Sequence, residues 1–151
     1  MKTISEGAQA PDFALSDQHG NTVTLSEKLA EGPVVLFFYP AAMTPGCTKE
    51  ACHFRDLSTE FKELGAQRLG ISTDAVAKQH EFAEQQVLDY PLLSDEDGEV
   101  ARSYGVKRRL VTPVKRATFV IATDRTIKKI IASELNMSVH ADEALAVLKD
   151  L

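Results

Sequence analysis

The stretch around residues 34–47 constrains the fold of this chain most, because an apolar strand there passes almost directly into a helix that carries a cysteine. Residues 34–38 form a continuous apolar run, typical of a strand covered on both faces of a sheet. Thr44 is a favourable N-cap and Pro45 suits the first helical position, which places Cys47 in the first turn. Unpaired backbone N–H groups and the positive end of the helix dipole favour an anion there, so we predict a reactive thiol at Cys47.

The rest of the chain alternates predicted strands with predicted helices, which indicates an α/β domain with a mixed sheet. We predict a single helix over residues 46–64, ended by Gly65 as a C-cap. Ser26 is predicted to cap a short helix that ends at Gly32. The other predicted elements are hairpin strands at 13–15 and 23–25, strands at 69–72, 117–121 and 127–132, and helices at about 75–86, 96–104 and 141–148.

Composition and charge exclude several classes of function. With 151 residues, 44% of them hydrophobic, we expect a single domain over residues 1–151 that buries its own core. A net charge of −5 disfavours nucleic acid or an anionic membrane as main partner, and the basic spots Lys107–Arg109 and Lys115–Arg116 are too short to track phosphates. Residues 1–9 do not resemble a signal peptide, and no apolar run of about 20 residues could span a bilayer. A cytoplasmic, thiol-reducing setting is the expectation.

The two cysteines face different ways on the predicted helix. Cys47 lies on its apolar stripe and should point inward, whereas Cys52 lies about 140° further round and should point outward. An intact helix holds two such Cα atoms about 8 to 9 Å apart. That distance exceeds the roughly 7 Å limit for a disulfide without backbone movement. A bond between these cysteines would therefore require the first turns of the helix to unwind.

Plainer interpretations of the same residues stay open at this level. A cysteine on an apolar helix face is often a small buried hydrophobe. A zinc site is disfavoured, because Cys47, Cys52 and His53 offer three ligands at most, and the absence of Cys-x-x-Cys disfavours a dithiol exchange enzyme. Arg116 at a strand start is typical of a solvated surface residue. Glu50 fits an ordinary helix-surface carboxylate, although it lies beside the apolar stripe.

A Pro-x-x-x-Thr-x-x-Cys pattern followed much later by an arginine is highly specific, and with it this chain resembles the peroxiredoxins. The resemblance is to the bacterioferritin comigratory protein or peroxiredoxin Q subgroup and covers about residues 5–150. It implies a thioredoxin-like fold, with a central mixed β-sheet flanked by helices and an N-terminal β-hairpin. It also implies reduction of hydrogen peroxide and organic hydroperoxides without metal, haem or flavin. The matching segments are 10–13, 38–40, 44–48, 50–52, 54–56, 90–95 and 116–119.

The resemblance implies a role for each of four residues around the reacting sulfur. Cys47 matches the peroxidatic cysteine, and Thr44 matches the hydroxyl that contacts the peroxide. Pro40 matches the residue that shields the thiolate, and Arg116 matches the guanidinium that holds thiolate and peroxide together. These roles are chemically sensible, because displacement at a peroxide oxygen needs an in-line thiolate and a stabilised leaving group.

Two further positions complete the implied catalytic cycle. Glu50 matches an acidic position that orients the arginine, and Cys52 matches the resolving cysteine of the subgroup. In that cycle Cys47 becomes a sulfenic acid, Cys52 condenses with it, and thioredoxin or a similar dithiol reduces the disulfide. One alternative is a one-cysteine peroxidase recycled by an external thiol, and another is a redox sensor that signals by helix melting without turnover. The subgroup suggests a monomer, with a dimer as the alternative.

Overall fold

A mixed β-sheet forms the centre of the structure, a computed structural model that describes residues 4–108 and 112–151. Arg109, the last residue of one basic spot named above, lies outside the described residues. The described strands are β1 (Ala14–Ser16), β2 (Thr22–Thr24), β3 (Val34–Phe38), β4 (Gln67–Ser72), β5 (Leu92–Ser94), β6 (Ala117–Ile121) and β7 (Ile127–Ala132). The described helices are α1 (Leu25–Leu29), α2 (Pro45–Asp56), α3 (Ser58–Glu63), α4 (Val76–Gln86), α5 (Glu99–Ser103) and α6 (Ser138–Lys149).

Strand β3 lies in the middle of the sheet. Over the described residues the sheet has seven strands in the order β2-β1-β5-β4-β3-β6-β7. β3 pairs in parallel with β4 and antiparallel with β6, and all of its residues are buried, as expected for a strand covered on both faces. β1 and β2 form the N-terminal hairpin. The predicted α/β fold with a mixed sheet and an N-terminal hairpin is confirmed, and the segment after β3 starts from the interior of the molecule.

Helices cover both faces of the sheet, and the sheet separates two apolar clusters. Val35 and Phe37 belong to the cluster that includes buried residues of α2 and α6. There Phe37 stacks on Phe54 of α2 with ring centroids 4.2 Å apart. Leu36 and Phe38 belong to the cluster on the opposite face. Because successive side chains of a strand point to opposite faces, β3 anchors both layers, and aromatic stacking fixes α2 against it.

The single helix predicted over residues 46–64 is wrong, because the chain forms two helices that are separated at Leu57. Leu57 has φ −96° and ψ 19°, outside the helical range. Arg68 of β4 donates from Nη1 to the carbonyl oxygen of Phe54 at 2.9 Å. In a continuous helix that oxygen would accept the N–H of residue 58. A side chain from a neighbouring strand thus occupies the acceptor where the helix breaks.

Other boundaries differ where polar side chains hold backbone groups. Helix α1 starts at Leu25 with Thr24 at the N-cap position, so the predicted cap at Ser26 is wrong; instead Asp12 accepts the Ser26 N–H at 2.9 Å. Helix α5 is shorter than predicted, because the buried Asp95 accepts N–H groups from its first turn. Strand β5 was not predicted, and α6 starts earlier than residue 141. Gly65 follows α3 with φ +67°, as predicted for a C-cap glycine.

We expect Asp89→Asn to lower the free energy of unfolding by about 2 kcal/mol at neutral pH. Both Nη atoms of Arg68, which is 5% exposed, donate to the Asp89 carboxylate at 2.9 Å, and the amide would leave this guanidinium without its counter-ion. Burial would raise the pKa of Asp89, but hydrogen bonds from Arg68 and Ser58 outweigh it and lower the pKa to about 2.

Because the folded pKa lies below the ordinary value of 3.8, this stabilisation is present above that value and is lost as pH falls towards 2. Denaturant unfolding at neutral and acid pH should show the difference between wild type and Asp89→Asn narrowing with acid. Asp56→Asn, which removes the exposed partner of Arg55, is the matched control and should change stability little. A constant difference at all pH values would contradict the assignment.

Candidate active site

A short ordered loop carries the chain from β3 to α2. Tyr39 continues the sheet by donating its N–H to the carbonyl oxygen of Ile71 at 3.0 Å, and the next residue, Pro40, is buried. Ala42 donates its N–H to the Asp74 carboxylate at 2.7 Å. Met43 adopts the left-handed conformation, with φ 65°. A non-glycine residue there is energetically costly, so surrounding contacts must hold the loop in shape.

The start of α2 follows the sequence prediction in position and differs in how it is capped. Thr44 is the N-cap with extended backbone, Pro45 is the first helical residue and Cys47 lies in the first turn. The Thr44 hydroxyl does not cap the helix; it donates to the carbonyl oxygen of Ala41 at 2.8 Å. The Thr44 side chain therefore leaves the anion-favouring end of α2 uncapped, and its exposed oxygen keeps its acceptor capacity.

The structure brings Cys47 and Arg116 together. The Cys47 side chain points inward, as predicted, and the residue is 1% exposed. Arg116 leads into β6, beside β3, and its Nη1 lies 3.4 Å from Cys47 Sγ. Arg116 is 7% exposed, so the interpretation of it as a solvated surface residue is wrong. A fixed guanidinium beside a sulfur at a helix N-terminus favours the thiolate over the thiol.

Glu50 lies on the other side of the same guanidinium. Its Oε1 accepts from Arg116 Nη1 at 2.8 Å, and the residue is fully buried, so the interpretation as a surface carboxylate is wrong. Burial raises the pKa of Glu50 to about 8, although the charge and hydrogen bond of Arg116 act in the opposite direction. Burial lowers the pKa of Arg116, but the charges and hydrogen bonds of Glu50 and Cys47 outweigh burial, so the pKa of Arg116 is raised. The guanidinium thus stays charged, and burial favours the protonated form of its neighbour Glu50.

Gly46 leaves room for the guanidinium. A Cβ at residue 46 would lie 3.2 Å from Arg116 Nη2 and 3.5 Å from Met137 Sδ. We expect Gly46→Ala to displace Arg116 slightly and to slow oxidation of Cys47 by about tenfold, because small misplacements of a catalytic group are costly. The free energy of unfolding should change by less than about 1 kcal/mol, since alanine favours a helix over glycine.

Stopped-flow oxidation of Cys47 and thermal unfolding, measured on the same Gly46→Ala protein, check this prediction. Lys49→Ala is the matched control, because the Lys49 side chain is exposed in the same helical turn. Equal rates for the Gly46→Ala and Lys49→Ala proteins would show that the contact with Arg116 does not matter.

Cys52 is less exposed than the sequence predicted. Its side chain points away from Cys47, but it is half-buried and not fully outward. Cys52 Sγ donates to Gln86 Oε1, at the end of α4, at 3.3 Å. Both cysteines are free thiols on the uninterrupted helix α2. The geometry of this reduced state agrees with the expectation that a bond between them needs the helix to unwind.

His140 was not predicted from the sequence to belong to the site, and it lies next to Glu50. His140 is fully buried on α6, and its Nδ1 is 3.6 Å from Glu50 Oε2. One signal was available: His140 shares a helical face with Ala144 and Leu148, which places it inside. Among residues 4–108 and 112–151, no group of three or more His, Cys, Asp or Glu side chains could hold a metal ion.

Comparisons with known sequences agree with one another. The sequence profile of the AhpC/TSA family matches residues 7–130. A chloroplastic peroxiredoxin Q of Oryza sativa subsp. japonica is 42% identical over 98% of this chain and 68% of its own length. Chloroplastic peroxiredoxin Q of Triticum aestivum is 41% identical over the same shares, 98% and 68%.

Comparisons with solved structures reach the same result. The crystal structure of peroxidoxin BcpB from Mycobacterium tuberculosis is 60% identical, covers 97% of each chain and has a TM-score of 0.93. A structure of Xanthomonas campestris peroxiredoxin Q is 33% identical, covers 91% of this chain and 90% of its own, and has a TM-score of 0.84. These similarities confirm the predicted thioredoxin-like fold.

Proposed function

This chain belongs to the AhpC/TSA family and is a peroxiredoxin, a thiol-dependent peroxidase, and from that premise we propose that Cys47 is its peroxidatic cysteine. Membership of the family implies a peroxide substrate and a thiol reductant. The observation that carries the proposal is the 3.4 Å contact between Cys47 Sγ and Arg116 Nη1 at the start of α2. Guanidinium and helix dipole act on the sulfur together, and both favour its anionic form.

In the proposed first step the Cys47 thiolate attacks the nearer oxygen of a hydroperoxide in line with the O–O bond. The S–O bond forms, the O–O bond breaks, and the leaving oxygen departs with the electron pair and takes up a proton. Cys47 becomes a sulfenic acid, and the peroxide becomes water or an alcohol. Arg116 stabilises the charge on the leaving oxygen, as preorganised donors do in other active sites.

The residues around the sulfur have complementary roles in this step. The Thr44 hydroxyl gives its hydrogen to Ala41, so its oxygen is available to accept the O–H of the hydroperoxide. Pro40 is buried beside the end of β3 and limits the access of water to the thiolate. Glu50 orients Arg116 through the 2.8 Å hydrogen bond.

For the second step we propose that Cys52 is the resolving cysteine. Its thiol attacks the sulfenic sulfur of Cys47, an S–S bond forms, the S–O bond breaks, and water leaves with the thiol proton. An external dithiol, thioredoxin or a similar protein, then reduces the disulfide by thiol exchange and is itself oxidised. The contact of Cys52 with Gln86 favours one alternative, a one-cysteine peroxidase, because it holds this thiol away from Cys47.

We propose that the protein works in a reducing compartment such as the cytoplasm, where both thiols persist between turnovers. Among the described residues, no helix combines the length and apolar character needed to cross a bilayer. We propose that the active form is a monomer, as the resemblance to the peroxiredoxin Q subgroup implies, with a dimer as the alternative.

A peroxidase assay with thioredoxin, its reductase and hydrogen peroxide tests the proposal on wild type, Cys47→Ser and Cys52→Ser. Cys47→Ser should show no turnover, and Cys52→Ser should be oxidised once and then stop. Gln86→Ala is the matched control, since it removes the partner of Cys52 but keeps both thiols, and it should turn over at least as fast as wild type. Sustained turnover of Cys52→Ser would establish the one-cysteine mechanism, and a single oxidation of wild type would establish the redox sensor.

A further inference from the structure

His140 is locked in one orientation by two hydrogen bonds. Its Nε2 lies 2.8 Å from the carbonyl oxygen of Ser133, and a carbonyl oxygen can only accept, so Nε2 carries the hydrogen. Its Nδ1 lies 2.8 Å from Thr118 Oγ1. Burial lowers the pKa of His140, so the ring is neutral at physiological pH. In neutral imidazole Nδ1 is then an acceptor, and the Thr118 hydroxyl donates to it.

Glu50 presents an unsatisfied oxygen to that acceptor. Its Oε1 is paired with Arg116, but Oε2 is buried and has no hydrogen-bond partner among the described residues. Oε2 lies 3.6 Å from His140 Nδ1. An ionised carboxylate with an orphan oxygen facing the lone pair of a neutral imidazole is unfavourable, whereas a carboxylic acid with its hydrogen on that oxygen is favourable.

We propose that His140 is a positioning residue that keeps the proton of Glu50 on Oε2, so that the charge of Arg116 is available to Cys47. This inference rests on the proposed role of Cys47 as the peroxidatic cysteine. A neutral Glu50 still orients Arg116 through Oε1 but does not neutralise it. An ionised Glu50 would compete with the thiolate and the leaving oxygen for the same guanidinium nitrogen.

Charged and titratable groups face this pair from several elements. Arg116 and Glu134 act on both Glu50 and His140, and Arg116 favours a charged Glu50 and a neutral imidazole. Glu143 of α6 acts on His140 in the opposite sense to Arg116. The charge of Glu50 also acts on the buried phenol of Tyr90, whose pKa it raises. Burial outweighs these influences at Glu50, and it raises the pKa of that carboxyl to about 8.

A pH profile of Cys47 oxidation follows from this arrangement. The rate constant for oxidation of Cys47 should fall as Glu50 loses its proton near pH 8. We call this fall the alkaline limb. His140 and Thr118 move the pH of this limb in opposite directions. His140 Nδ1 accepts the Glu50 proton and so raises that pH, whereas the Thr118 hydroxyl competes for the same lone pair and so lowers it.

The test is the rate constant for oxidation by hydrogen peroxide, measured against pH in the intact protein. Glu50→Gln should lose the alkaline limb. His140→Gln keeps a donor for Ser133 but lacks Nδ1, and should move the limb to lower pH by up to about one unit. Thr118→Val frees Nδ1 and should move the limb to higher pH by a similar amount. Glu60→Gln, an exposed change on α3, is the matched control and should leave the limb in place.

If His140 had a purely structural role, both His140→Gln and Thr118→Val would destabilise the protein. The alkaline limb would then not move to lower pH in one variant and to higher pH in the other. An alkaline limb that stays at the wild-type pH in both variants, or that moves in the same direction in both, would overturn the inference. A carbon-13 NMR titration of the Glu50 carboxyl in wild type needs no variant, and an ordinary glutamate pKa there would also overturn it. If wild-type Cys47 did not react with peroxide at all, the proposed function itself would fail, which is a distinguishable result.

Discussion

Arg116→Lys is expected to lower the rate constant for oxidation of Cys47 by hydrogen peroxide by about 10²–10³, the usual cost of losing one preorganised donor to a developing oxyanion. A single nitrogen, Arg116 Nη1, contacts both Cys47 Sγ and Glu50 Oε1. Lysine keeps the positive charge but lacks the planar fork that holds a donor against the sulfur and offers another to the peroxide. Stopped-flow measurement in a single turnover isolates this step from disulfide reduction.

The matched control for this substitution is Arg102→Lys, on helix α5, where the arginine pairs with the exposed Glu99. It should leave the rate constant unchanged. Equal rates for Arg116→Lys and wild type would show that charge alone at this position is sufficient. Thermal unfolding of each protein separates a loss of rate from a loss of folded protein.

Oxidation of the two cysteines to a disulfide is expected to increase amide hydrogen exchange at residues 47–53 by at least about 10²-fold, because the helix there must open fully. A continuous α2 holds the two Cα atoms too far apart for an S–S bond, by the helical geometry given above. Opening also breaks the 2.7 Å hydrogen bond that Tyr90 donates to the carbonyl oxygen of Ala51. Mass spectrometry of exchange in reduced and oxidised protein measures the effect directly.

Strand β6 provides an internal reference for that experiment, because it is buried in the sheet and its exchange should be the same in both redox states. The Cys52→Ser protein, treated with the same oxidant, should keep its protection at the start of α2, since no intramolecular disulfide can form. Equal protection of residues 47–53 in reduced and disulfide-bonded wild type would contradict the unwinding mechanism.

The strand-to-helix junction was predictable from sequence because its signals are local. The apolar run of β3, the N-cap position of Thr44 and the first-turn position of Cys47 all appear where they were predicted. Even here, one local detail differed: the Thr44 hydroxyl turns back three residues to Ala41 and does not cap the helix. The motif resemblance reached further, because it named Arg116 as the partner of Cys47 and Glu50 as the residue that orients this arginine. The structure places Arg116 in contact with both.

The break at Leu57 was not predictable from periodicity. The apolar spacing of α2 runs on into α3, and no glycine or proline lies between them. The break coincides with a hydrogen bond from Arg68, a residue of the next strand, to Phe54. A pattern of side-chain polarity along one helix contains no information about such a donor.

By itself, the sequence determined the order of the strands and helices except for β5 and the break between α2 and α3. It also determined the burial of β3 and the inward orientation of Cys47, because backbone periodicity and capping depend on neighbouring residues. Only the tertiary structure decided the charge environment of that sulfur. Arg116 arrives through the pairing of β6 with β3, and His140 arrives through the packing of α6. Desolvation depends on everything that surrounds a group, so the protonation of Glu50 could not follow from its place on a helix alone.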